Sequence, residues 1–134
     1  REKLMYGSML TGLAQSMTSV GGVHALSHTV AAKIELPHGN LNAIFLIPML
    51  KFNMQKSPRI EEFIKQIGLG GIERLEEWIS RIIENTKMVK KWGAYGTEIN
   101  VNEVSEATLE DICARTNPRK LTAEGVKSIL EMTF

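Results

Sequence analysis

Residues 21–48 read GGVHALSHTVAAKIELPHGNLNAIFLIP, and all three histidines of the 134-residue chain, His24, His28 and His38, lie inside this stretch. His24 and His28 are four apart in a segment with helical apolar spacing at Val23, Leu26, Val30 and Ala31. Positions i and i+4 share a helix face, so both imidazoles point the same way. A second apolar helical run follows through Leu41, Ile44 and Phe45, opened by Pro37-His38-Gly39. Proline is tolerated at a helix entrance because its missing N–H would be unpaired there anyway. Two antiparallel helices joined at Glu35-Leu36-Pro37 would bring His38 back over His24 or His28. Neutral nitrogen donors gathered in a mostly apolar setting suit a divalent metal. The residues alone leave a second reading open, in which the histidines are hydrogen-bonded core residues.

Around this stretch the composition is that of one ordinary globular domain: 43% hydrophobic, with a net charge of +1. That balance gives no support to a nucleic-acid or anionic-membrane partner. Lys87, Lys90 and Lys91 cluster without interleaved aromatics and read as a solvated helix end. Cys113 is the only cysteine, which excludes an intramolecular disulfide and a cysteine-based zinc framework. A cytoplasmic setting is the expectation. The most apolar run, Leu41 to Leu50, is too short to span a bilayer. The chain enters a helical pattern directly from Arg1 and is expected to be a piece of something longer.

The remaining periodicity predicts an all-α architecture of six or seven helices. Residues 2–17 are apolar on much of their circumference, through Leu4, Met5, Met9, Leu10, Leu13 and Met17, and are expected to be buried as core filling. Ser57-Pro58 is expected to open a helix as N-cap and N1, with Glu61 and Glu62 at its positive end and Gly68 closing it. Ile72, Leu75, Ile79, Ile82 and Ile83 predict a further helix with Glu77 and Arg81 as an exposed pair. Trp92 to Gly96 reads as a loop. A helix through Leu109 and Ile112 is expected to stop before Pro118, and Val126, Ile129 and Leu130 predict a last one, for which Thr122 with Gly125 three later offers only a partial cap.

The segments Val23-His24-Ala25-Leu26-Ser27-His28, Pro37-His38-Gly39-Asn40-Leu41-Asn42-Ala43 and Ile47-Pro48 resemble the histidine signature of the iron-containing (group III) alcohol dehydrogenases. The likeness reaches Gly12-Leu13-Ala14, Asn53, Asp111-Ile112-Cys113 and Asn117-Pro118-Arg119, and so covers nearly the whole chain. It implies that residues 1–134 form the helical, metal-binding C-terminal domain of the dehydroquinate synthase-like fold, without the N-terminal nucleotide-binding domain. It assigns two metal ligands, His24 and His38. His28 is assigned a place near the metal and nicotinamide, positioning substrate or passing protons. Gln15 stands where the family often carries a pocket-lining aromatic, and is expected to face a cavity near His24 and His28. Cys113 matches a position that approaches the substrate channel, beside the reading of it as a small buried hydrophobe.

The function so implied is NAD- or NADP-dependent alcohol oxidation or aldehyde reduction with Fe²⁺, or with Zn²⁺, since imidazole suits both. The partners are a small alcohol or aldehyde, the upstream domain with its Asp and His ligands, and, as an open option, a second copy of the chain. Two alternatives stand beside it: a zinc-dependent enzyme similar to glycerol dehydrogenases, and a helical binding or structural module with no turnover.

Overall fold

Helices form where apolar residues recur at three and four positions, and the computed structural model describes residues 1–95 and 99–134. In chain order these are α1 (Glu2–Thr18), α2 (Gly22–Ala31), α3 (His38–Met54), α4 (Arg59–Gln66), α5 (Ile72–Asn85), α6 (Val101–Glu110) and α7 (Ala123–Thr133). Short 3-10 turns lie at Trp92–Tyr95 and Ile112–Thr116. No strand occurs among the described residues, and the chain is all-α.

The middle of the fold is α3. On one side it buries Leu41, Ile44, Phe45 and Met49 against Leu26 and Val30 of α2, Val104 of α6, and Val126 and Leu130 of α7. On the other, Ile47 meets Ile64 of α4 and Ile72 and Leu75 of α5 in a smaller cluster. A helix that is apolar nearly all round belongs inside, and α3 occupies that position. It continues through Pro48, which deprives the Ile44 carbonyl of its helical donor.

α1 departs from the expectation of burial. Every one of its residues is exposed, Leu4 at 80% and Met17 at 86%. Periodicity reports that a surface is apolar, not what covers it, and nothing among the described residues covers α1.

Two further expectations need correction. Ser57 makes no side-chain cap to α4, whose first turn instead begins at Pro58 in helical conformation. The expected helix through Leu109 and Ile112 breaks at Asp111, where ψ turns to 136° and a 3-10 turn takes over, leaving Ile112 73% exposed.

The Trp92 segment is a 3-10 turn pinned by the buried indole, whose Nε1–H lies 3.2 Å from the Leu130 carbonyl and 3.1 Å from Thr133 Oγ1. Gly96, part of the expected loop, lies outside the described residues. Thr122 does cap α7, its Oγ1 accepting from the Gly125 N–H at 3.1 Å.

α4 and α5 end alike. Gly68 adopts φ +83° and donates to the Lys65 carbonyl while Leu69 donates to Ile64, the paired bonds of a Schellman motif. After α5 the same bonds run from Lys87 to Glu84 and from Met88 to Ile83, but with Lys87 at φ 55°. A side chain there carries a left-handed penalty that glycine avoids. Lys87→Gly is therefore expected to raise the unfolding free energy by about 0.5 kcal/mol, after the entropy glycine adds to the unfolded chain. Urea denaturation with an unchanged m-value checks it; a loss of stability would contradict it.

Candidate metal and substrate site

α2 turns Ala25, Leu26 and Val30 into the core, which leaves His24 half-buried and His28 exposed on its other face. The link to α3 is drawn inward by Ile34 and Leu36, both 6% exposed, and Pro37 sets the entry at φ −54°, ψ 135°. His38 is then the first residue of α3. Two hydrogen bonds hold this entrance: the Asn40 amide donates to the Val89 carbonyl at 2.8 Å and accepts from the Val89 N–H at 3.1 Å.

The three rings come together. Centroids are 5.3 Å apart for His24 and His38, 5.2 Å for His28 and His38, and 6.0 Å for His24 and His28. His28 and His38 are stacked with an interplanar angle of 20°. Burial and the two neighbouring imidazoles push the pKa of His24 below its ordinary value, against a weaker pull from Asp111. A neutral imidazole is what a cation requires.

Asp111 is the residue that sequence reasoning left without a role. Its Oδ2 lies 3.0 Å from His28 Nδ1, while Oδ1 accepts from the Cys113 N–H at 2.8 Å. Burial opposes its ionisation, yet the bonds from the Cys113 backbone and from His28 outweigh that and lower its pKa. The break in the helix at Asp111 is what turns this carboxylate toward α2. Cys113 itself is buried, and burial first, then Asp111, raises its thiol pKa.

A groove of about 400 Å³ opens beside His24, lined by Gly22, Val23, Ala43, Leu46, Met49 and Pro118 among others, with Asn42 at its edge. Asn42 Nδ2 lies 3.5 Å from His24 Nε2, at the limit of a hydrogen bond, and its buried Oδ1 has no partner. The groove is mostly apolar and could hold a short alkyl chain next to an imidazole. Neither Cys113 nor Gln15 lines it. Gln15 is exposed on α1, so the expectation that its amide faces a cavity rather than solvent is not met in this chain.

Does this donor set fit a divalent metal? The imidazole rings approach one another, burial and its neighbours favour the neutral form of His24, and the orphaned Asn42 amide oxygen sits alongside. It fits part of a ligand shell, since a normal protein site needs more donors than His24 and His38 supply.

The lowered pKa of His24 has a consequence for stability. The unfolded chain takes up the proton first, so this contribution is fully present above the ordinary histidine value and is lost as pH falls through the lowered one. Asp111, also lowered, adds a loss at more acid pH. The melting temperature is expected to fall as pH drops below the ordinary histidine value of about 6.5, and to fall less in His24→Gln. Equal drops in the two proteins would contradict this.

No described helix is long and apolar enough to cross a membrane. Residues 1–134 match the family described as Fe-containing alcohol dehydrogenase family, C-terminal. The chain is 33% identical to an NADPH-dependent butanol dehydrogenase of Clostridium saccharobutylicum, all of it aligning with 38% of that protein. It is 27% identical to a 1,3-propanediol dehydrogenase of Klebsiella pneumoniae, over 37% of that protein. Among solved structures, a 1,3-propanediol oxidoreductase superimposes with a TM-score of 0.73 at 25% identity, covering 85% of this chain and 32% of the other. An iron-containing alcohol dehydrogenase from Thermococcus thioreducens gives 0.71 at 29% identity, covering 84% and 31%. The chain thus spans less than two-fifths of the length of each of these relatives.

Proposed function

The chain belongs to the iron-containing alcohol dehydrogenase family, and on that premise we propose that it forms the helical C-terminal part of an NAD(P)-dependent alcohol dehydrogenase or aldehyde reductase. The observation that carries this reading is the convergence of three imidazoles from α2 and α3, with centroids 5.2–6.0 Å apart. His24 and His38 would donate nitrogens to Fe²⁺, or to Zn²⁺, with the remaining ligands coming from the upstream part of the protein. When bound, the cation supplies Lewis acidity toward an alcohol or carbonyl oxygen, and the nicotinamide dinucleotide supplies the redox couple.

The chain's own residues do the rest. With Nδ1–H donated to Asp111, His28 keeps Nε2 as an acceptor. Exposed and stacked on His38, it can carry a proton between substrate and solvent. The apolar groove beside His24 takes the alkyl part of a small primary alcohol and excludes water from it. Gln15 becomes a pocket residue only once the upstream domain, or a second copy of the chain, packs over α1. Cys113 borders the site through Asp111 rather than through the groove. The setting is cytoplasmic.

The relatives that carry an upstream part define the test. The protein extended by that part is expected to oxidise 1-butanol or 1,3-propanediol with NAD⁺ or NADP⁺, to lose turnover to a chelator, and to regain it with Fe²⁺ or Zn²⁺. The 134-residue chain alone is expected to be a helical module without turnover, because a nicotinamide has nothing to hold it against the substrate carbon. Turnover by the chain alone, or chelator-resistant turnover by the longer protein, would sink the assignment.

A further inference from the structure

We propose that His28, Asp111 and Cys113 form a second cation site, distinct from the His24–His38 pair, which takes a thiophilic divalent ion such as Zn²⁺ or Cd²⁺. One ligand atom from each of the three side chains lies within 4.8 Å of the other two. His28 Nδ1 and Asp111 Oδ2 are already 3.0 Å apart. Bonds of about 2.0–2.3 Å around a tetrahedral ion set donor separations of roughly 3.3–3.8 Å. The 4.8 Å limit on the separations exceeds that spacing by about 1 Å.

The backbone that carries these atoms is fixed in advance. Asp111 folds back to accept the Cys113 N–H with one oxygen, which leaves the other free to face His28. The 3-10 turn that follows is tied at its end by Thr116, whose hydroxyl lies against the Val20 and Cys113 carbonyls. A fixed turn thus presents the carboxylate and the thiol, and α2 presents the imidazole.

The chemistry selects the ion. Sulfur, nitrogen and oxygen donors together suit zinc or cadmium, whereas hard ions such as Mg²⁺ or Ca²⁺ take oxygen shells. On binding, the Cys113 thiol gives its proton to solvent and the thiolate and carboxylate balance the 2+ charge, with water in the fourth position. All three donors belong to this chain, so the site needs no upstream ligand and does not rest on the alcohol dehydrogenase reading. Its consequence for that reaction, which does rest on it, is inhibition by Zn²⁺ or Cd²⁺ in excess of the equivalent that restores turnover, because a cation on Nδ1 holds His28 away from the substrate.

The test is a Cd²⁺ titration of the full 134-residue chain, followed by the thiolate-to-cadmium charge-transfer absorption. One equivalent is expected to develop the band, and Zn²⁺ to bleach it. Cys113→Ser should abolish it, and His28→Ala and Asp111→Asn should each weaken binding by at least about tenfold. The double variant His24→Ala with His38→Ala should leave it intact. Helicity is followed throughout, and if Cys113→Ser fails to fold, the exposed His28 decides the matter through His28→Ala. No band in the parent chain, or affinity unchanged in both His28→Ala and Asp111→Asn, would reduce Cys113 to a bare thiol and overturn the proposal. Loss of the band in the His24/His38 double variant with helicity retained would merge the two sites and overturn it equally.

Discussion

Asn117→Ala is expected to lower the unfolding free energy by about 3 kcal/mol, through the loss of several partly buried hydrogen bonds at once. The Asn117 carboxamide oxygen accepts from the Gly22 N–H and from Asn53 Nδ2, each at 3.0 Å. Its nitrogen donates to Asn53 Oδ1 at 2.7 Å and to the Arg119 carbonyl at 2.6 Å. Removing it leaves Asn53, 5% exposed, with neither end of its amide paired. It also frees the first turn of α2, the helix that carries His24 and His28. The fit is tight, because a Cβ on Gly22 would come within 3.0 Å of Asn117 Oδ1 and 2.7 Å of Met49 Sδ. Arg119 completes the clamp, donating to the Phe52 carbonyl at 3.0 Å and lying 3.7 Å over the Phe52 ring. Urea denaturation of Asn117→Ala, Asn53→Ala and the double variant checks the account. The double should cost less than the sum by at least about 1 kcal/mol. Additive effects would mean that the two amides do not act as a unit.

His38→Ala in the protein carrying its upstream part is expected to lower kcat/KM by more than the roughly 100-fold that loss of an outer partner costs. His38 is proposed to touch the cation, whereas Asp111 acts only through His28, so Asp111→Asn should fall within that range. His38 is exposed at the entrance of α3, and its replacement should leave the melting temperature nearly unchanged. A fall in kcat/KM no larger than that of Asp111→Asn, with the fold intact, would remove His38 from the ligand set.

The histidine cluster was legible because its geometry is local. An i, i+4 pair, a short link and a proline-led helix entrance allow His38 to return over His24 or His28, and the packing of α3 on α2 brings it over both. Asp111 was not legible in the same way. The apolar spacing of Leu109 and Ile112 continues the helix on paper, whereas Asp111 breaks it by capping the next turn at the Cys113 N–H and meets a histidine 83 residues earlier with its other oxygen. α1 fails for the opposite reason. Its helix is correctly read, but Leu4, Met9 and Met17 say only that they are apolar, and the surface that would cover them is not among the described residues. Asn53 and Asn117 were singled out by resemblance, while the reciprocal amide pair between them, 64 residues apart, emerges only when α3 and the second 3-10 turn are packed together.

The central claim is that His24 and His38, rather than the His28 cluster, hold the functional cation. X-ray absorption at the metal edge of the longer protein, loaded with one equivalent of Fe²⁺, tests it directly. The account predicts imidazole ligands at about 2.1 Å, with one imidazole lost in His24→Ala, one in His38→Ala and none in His28→Ala. An imidazole count that falls in His28→Ala and stays fixed in the other two would contradict it.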